Sequence, residues 1–223
     1  MADAPAPNTA PNTAPNTALI QVLGAVAYGE LKAYEGAKAD AAAATTEEER
    51  KRFRKVAAEE LRHHKGFVAR LEALGADPER AMQPYRKSLD RYHAATPRTP
   101  VEEAVAAYLG EGVADDLLTW LRTVVDPETA AFIDTVIEDE VEHEAHAAED
   151  LRHVLARTPG GKRQAARAAR RMALRMAWSG RDSAAPMGAF LRLGNAPGLL
   201  KVIGEGHVRR MRAIGLGPMG VGG

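Results

Sequence analysis

Four long segments of this chain, at roughly 19–44, 46–74, 100–125 and 127–157, carry apolar residues at alternating spacings of four and three, and each has an acid in mid-stripe. The first stripe runs Leu19, Leu23, Val26, Glu30, Ala33, Ala37, and the second Phe53, Val56, Glu60, His63, Phe67. The third runs Val101, Ala104, Tyr108, Glu111, Asp115, Leu118, and the fourth Ile133, Val136, Glu140, His143, Ala147. Residues so spaced share one face of a helix and meet the neighbouring helices of a bundle. Carboxylate therefore stands where packing wants hydrocarbon, so the chain is restricted to folds in which something compensates buried acid. No segment alternates with period two, and the expectation is an all-α protein.

The breaks between segments are chemically marked. Thr45-Thr46 precede Glu47 to Glu49, a cap followed by an acidic first turn, and Asp126-Pro127-Glu128 has Pro at the first helical position. Gly75 stands where a helix should end. From Gly75 to Thr99 the connection is about 25 residues, with a short helix expected over Pro78–Ala95, and that length permits a crossover along the bundle. The predicted architecture is a four-helix bundle with a long crossover between helices 2 and 3 and extra helices at the C-terminus.

Short hairpins place residues equidistant from the turn at one level. Glu30 and Glu60 are centred on the Thr45-Thr46 break, and Glu111 and Glu140 on the Val125-Asp126 break. Each acid then lies roughly 22 Å from its turn at 1.5 Å per residue, and the four meet at one depth. Carboxylates so gathered repel and lose solvation, so a positive partner is required. Two divalent cations would balance the charge, with His63 and His143, each one turn after a Glu, completing the donor set. One Glu from each of two helices plus Glu-x-x-His from each of the other two is a known di-metal pattern of four-helix bundles. Cysteine is absent, which removes thiolate ligands, iron–sulfur clusters and thiol nucleophiles.

Over about residues 19–157 the chain resembles the ferritin-like di-iron superfamily. Its AAEELRHH at Ala57–His64 and EDEVEH at Glu138–His143 look closest to the branch containing the bacterial tRNA 2-methylthio-N6-isopentenyladenosine hydroxylase and its actinobacterial relatives. The resemblance implies metal ligands at Glu30, Glu60, His63, Glu111, Glu140 and His143, with Glu60 and Glu140 bridging and Glu30 and Glu111 terminal. It further implies two iron ions, with manganese as the alternative, in an oxidoreductase that activates O2 to hydroxylate or desaturate a substrate, a modified tRNA base among the candidates. Electrons would come from a separate donor. The competing expectation is a ferritin-like metal-handling or peroxide-protective protein without an organic substrate.

Other residues carry weaker signals. Asp115, one turn beyond Glu111, is a candidate either to orient a ligand histidine or to form a buried salt bridge. Tyr34 and Tyr108 flank the acid level as core residues or site neighbours, and His64 and His146 read as outer-shell or surface residues. Residues 1–18, with PNTA three times, read as a disordered leader. Up to Ala156 there are 17 Lys and Arg against 28 Asp and Glu, and from Arg157 onward 13 against 2. The basic portion, 158–214, reads as a helical extension. Within it Arg163, Arg167, Arg171 and Arg175 oppose Ala165, Ala168, Met172 and Met176: either a phosphate-contacting surface suited to tRNA, or a helix docked on the acidic bundle with its arginines in water. Residues 215–223 read as a flexible tail whose Gly215-Leu-Gly-Pro-Met-Gly220 matches a dinucleotide fingerprint in letters but has neither a strand before it nor a helix after it. Without a membrane-spanning apolar run or a secretion signal, the expectation is a cytoplasmic monomer or small homo-oligomer.

Overall fold

The computed structural model describes residues 13–94, 97–182 and 184–217. Among them are eight helices and no strand: α1 Thr13–Ala43, α2 Glu47–Ala73, α3 Pro78–His93, α4 Pro100–Leu121, α5 Pro127–Arg157, α6 Gly161–Asp182, α7 Ala184–Leu193 and α8 Ala196–Ala213. The helix starts follow the capping chemistry. Thr46 closes a capping box with Glu49, its hydroxyl accepting from the Glu49 amide at 3.1 Å while the Glu49 carboxylate accepts from the Thr46 amide at 3.2 Å. Thr99 caps α4, and Asp77 and Asp126 cap α3 and α5, each ahead of a proline. Helix α2 stops at a left-handed Gly75 (φ 72°), with the Ala76 amide donating back to the Leu71 carbonyl at 3.0 Å.

Helices α1 and α2 form one hairpin and α4 and α5 the other; α3 runs within the crossover against α1. Helices α6 and α8 pack on α4, and α7 on α1. Two apolar clusters result. One gathers Val22, Leu23, Phe67, Leu71, Leu118, Leu121, Ile133 and Val136. The other gathers Val105, Tyr108, Ala148, Leu151, Ala165, Ala168, Met172 and Met211. On α4 and α5 the acids fall between the residues given to one cluster and those given to the other, so a charged layer separates two hydrocarbon layers.

Close approach of α1 to α3 depends on Gly24, where a methyl group would collide with the backbone carbonyl of Ala81. Gly24→Ala must push α3 outward; the expected loss is about 1–3 kcal/mol, read from urea unfolding.

Two expectations change at the ends of the chain. Helix α1 begins at Thr13, so 13–18 is helical and Ala18 is buried; Pro15 sits in the first turn, where its missing N–H has no helical acceptor to forgo. The rest of the expected leader, residues 1–12, lies outside the described residues. At the other end Leu216 is buried in the second cluster and its amide donates to the Met211 carbonyl at 2.9 Å, so the chain is anchored there. Residues 218–223, the end of the glycine-rich fingerprint, lie outside the described residues. Helix α6 docks by Ala165, Ala168, Ala169 and Met172 with Arg163, Arg167, Arg170 and Arg175 exposed, while Arg171 pairs with Glu102. No described helix is long and apolar enough to cross a membrane.

Candidate metal centre

The Glu-x-x-His spacing of α2 puts Glu60 and His63 on one helical face, and the same spacing on α5 does so for Glu140 and His143. Facing hairpins then bring the two motifs together. His63 Nδ1 lies 3.6 Å from Glu30, 3.6 Å from Glu60 Oε2 and 3.3 Å from Glu140 Oε1. His143 Nδ1 lies 3.4 Å from Glu60 Oε1 and 3.2 Å from Glu140 Oε2. Glu60 and Glu140 thus each turn one oxygen toward each histidine. One donor atom from each of Glu30, Glu60, His63 and Glu140 falls within 4.8 Å of the others, a group that could hold a metal ion.

Five of the six expected residues are buried: Glu30, Glu60, His63, Glu140 and His143. Glu111 is half-buried, but its Oε2 is enclosed without a hydrogen-bond partner, and the charges of His143, Glu140, Glu60 and Glu144 act on it. Glu60 Oε2 and His63 Nδ1 are likewise enclosed and unpartnered. Orphaned buried oxygen and nitrogen atoms cost roughly 1–3 kcal/mol each unless something occupies the space between them.

A family model described as "Ferritin-like domain, actinomycetes" matches residues 14–183. The chain belongs to that family. The match takes in both Glu-x-x-His motifs, Glu30 and Glu111. No curated protein matches the chain.

In this ferritin-like chain the outward nitrogen of each histidine is tied to an acid on the opposite hairpin. His63 Nε2 pairs with Asp139 at 2.9 Å, and His143 Nε2 with Glu59 at 3.0 Å. These acids, not Asp115, orient the histidines. The sequence signal was an acid immediately before each Glu of the two motifs, Glu59-Glu60 and Asp139-Glu140. Asp115 is neither a histidine partner nor a salt bridge: its Oδ1 is enclosed and unpartnered, and burial, with Glu140, Glu144 and Glu111 nearby, pushes it up to about 9. Its neighbour Asp116 makes the buried salt bridge. Tyr108 is core, its hydroxyl donating to the Arg210 carbonyl at 3.4 Å. Tyr34 lines a surface groove between α1 and α2, His64 Nδ1 donates to the Ala27 carbonyl at 2.8 Å, and His146 is half-buried.

The electrostatics show what holds the acids without a cation. Burial opposes charge on His63, but the carboxylates of Glu140, Glu30 and Glu60 beside Nδ1 and of Asp139 at Nε2 override it and push the imidazole up to about 12. His143 is pushed up to about 11 in the same way, by Glu140, Glu60 and Glu59. Burial would raise Glu60, but the two histidines and Glu30 bring it down to about 2. Glu111 is pushed up to about 8, by burial first and by Glu140 and Glu60 besides, against the pull of His143. Two imidazolium protons thus occupy the place that cations would take.

Asp139→Asn and Glu59→Gln each leave one of these two histidines without its acid. Each should weaken metal binding roughly 10–100-fold while leaving helical content intact, measured by competition with a chelating dye.

Proposed function

We propose that the protein is a non-haem di-iron oxidoreductase with Glu60 and Glu140 as bridging ligands, Glu30 with His63 on one metal and Glu111 with His143 on the other. One observation carries the reading: each bridging candidate divides its two oxygens between the two histidines. The donor set fits, being imidazole nitrogen and carboxylate oxygen without thiolate, which suits iron or manganese. Bound iron would supply O2 activation for hydroxylation or desaturation.

The chain's residues supply the rest. His63 and His143 give up their protons on loading, and Asp139 and Glu59 keep the outer ring nitrogens oriented. The apolar clusters flanking the acids exclude water and keep the centre's electrostatics strong. Electrons come from a separate donor. The exposed arginines of α6 support a polyanionic substrate such as tRNA, since arginine grips phosphate through a two-pronged fork.

A second reading is favoured by enclosure. Glu60, His63 and His143 are 6%, 1% and 5% exposed, and the surface groove between α1 and α2 contains none of the six residues. Such a centre suits a small reactant, as in metal handling or peroxide protection. Anaerobic loading with Fe(II), elemental analysis and then O2 consumption test the proposal. Two irons per chain and O2 uptake with a reductant are expected, with the O2 uptake lost in Glu60→Ala and in His143→Ala protein. Full O2 turnover in either variant overturns the assignment, and turnover of hydrogen peroxide alone favours the second reading.

A further inference from the structure

The family match ends at residue 183, and α8 lies beyond it. This helix nevertheless inserts a charge into the bundle. Arg210 is 1% exposed; its Nη1 donates to Asp116 Oδ1 at 3.2 Å, and its Nη2 donates to Asp116 Oδ2. Nη1 also stands 3.9 Å from Glu144 on α5. The packing is built around this pair. Gly112, the residue after Glu111, leaves room where a Cβ would strike the guanidinium, and Gly206 of α8 leaves room where a Cβ would strike the Asp116 carboxylate.

Comparison of the two hairpins shows why the charge is needed on one side only. Four residues after Glu30 stands Tyr34, and four after Glu111 stands Asp115. One residue after His63 stands His64, and one after His143 stands Glu144. The Glu111 half therefore carries additional acids, Asp115, Asp116 and Glu144, on the two helices that present Glu111 and His143. Left alone, Asp116 on α4 and Glu144 on α5 would repel and drive the two helices apart beside the ligands. Arg210 is hydrogen-bonded to Asp116 on α4 and pairs at longer range with Glu144 on α5, and so braces the two helices. The exposed Arg209, 3.9 Å from each of the same acids, adds a weaker contribution.

We propose that α8 is a lock on one half of the centre: Arg210, acting through Asp116 and Glu144, is a positioning residue for Glu111 and His143 and has no part in holding Glu30 and His63. The inference rests on the di-metal reading above. In metal-free full-length protein titrated anaerobically with Fe(II) by calorimetry, Arg210→Met should leave one equivalent unchanged and weaken the other by up to about 10-fold, less than the loss of a partner bonded to a ligand histidine. Arg210→Lys, which keeps the charge without the fork, should recover part of the loss. In a His63→Ala background, where the His143 half remains, Arg210→Met should weaken the residual site; in a His143→Ala background it should not.

The sign separates positioning from simple electrostatics, because removing a positive charge would by Coulomb attraction alone tighten both equivalents. Tighter, unchanged or equally weakened binding of both equivalents in folded Arg210→Met protein overturns the inference. If that variant does not fold, the double variant Arg210→Met with Asp116→Asn takes its place; it removes the pair together with no net change of charge, and the same selective weakening is expected with the same outcomes overturning it. A wild-type protein that takes up fewer than two equivalents overturns the di-metal reading itself, a result distinct from two tight equivalents that ignore Arg210.

Discussion

Glu60→Gln protein should lose both metals at once, by more than the roughly 10–100-fold that loss of an outer hydrogen-bond partner costs. Glu60 faces His63 through Oε2 and His143 through Oε1, so an amide there puts a non-ligating nitrogen toward one half and removes the shared negative charge from both. A residue serving one half only, Glu30 for example, should on replacement by Gln spare the other. Elemental analysis after loading distinguishes the two patterns, and near-full occupancy in Glu60→Gln protein would defeat the bridging role.

The metal-free protein should suffer as well. The folded-state value of Glu60 is depressed to about 2, so its contribution to stability is present above the unfolded value near 4.5 and is lost as pH falls through about 2. At neutral pH the Gln variant forgoes that contribution and leaves two buried imidazolium groups short of a partner. Its melting temperature without metal should drop relative to wild type, and the gap should close as the pH of both is lowered toward 2.

Metal uptake should release protons, and affinity should climb with pH. His63 and His143, pushed up to about 12 and about 11, are protonated at neutral pH without metal, and a ligand nitrogen must be free of its proton. At least about two protons per chain must leave, so affinity should rise at least about 100-fold per pH unit between pH 6 and 8, tenfold for each proton displaced. Glu111, held near 8, adds a further proton in the lower part of that range. Titration in lightly buffered solution with a pH electrode counts them directly, and uptake without proton release would show that the histidines are neutral before loading.

The same values set the alkaline limit of the metal-free fold. A raised histidine value contributes stability that is fully present below the unfolded value near 6.5 and is lost as pH rises through about 11 to 12. Metal-loaded protein does not depend on those protons, so its melting temperature should exceed that of the metal-free form by a margin that widens above pH 9. Binding at 1,000 times the dissociation constant is worth about 4 kcal/mol by mass action, so the margin should already be several degrees at neutral pH.

What could be read before any coordinates were known was periodic and local. The acid in each apolar stripe, the caps at Thr46 and Asp126, and hairpin arms of equal length made the helices and placed the acids at one depth, because 3.6-residue periodicity and helix rise are properties of the chain itself. Glu-x-x-His needs only one turn of helix to put both side chains on a face. Contacts between distant helices were not readable. His63 and Asp139 are 76 residues apart, His143 and Glu59 84, and Arg210 and Asp116 94. The rotation and separation of packed helices decide whether Asp115 or Asp116 meets the arginine, and whether a histidine turns to its own hairpin's acids or to those across the bundle. One position along α4 rotates a side chain by about 100°, enough to exchange a carboxyl with one enclosed, unpartnered oxygen for a buried ion pair, and only packing against α8 selects between them.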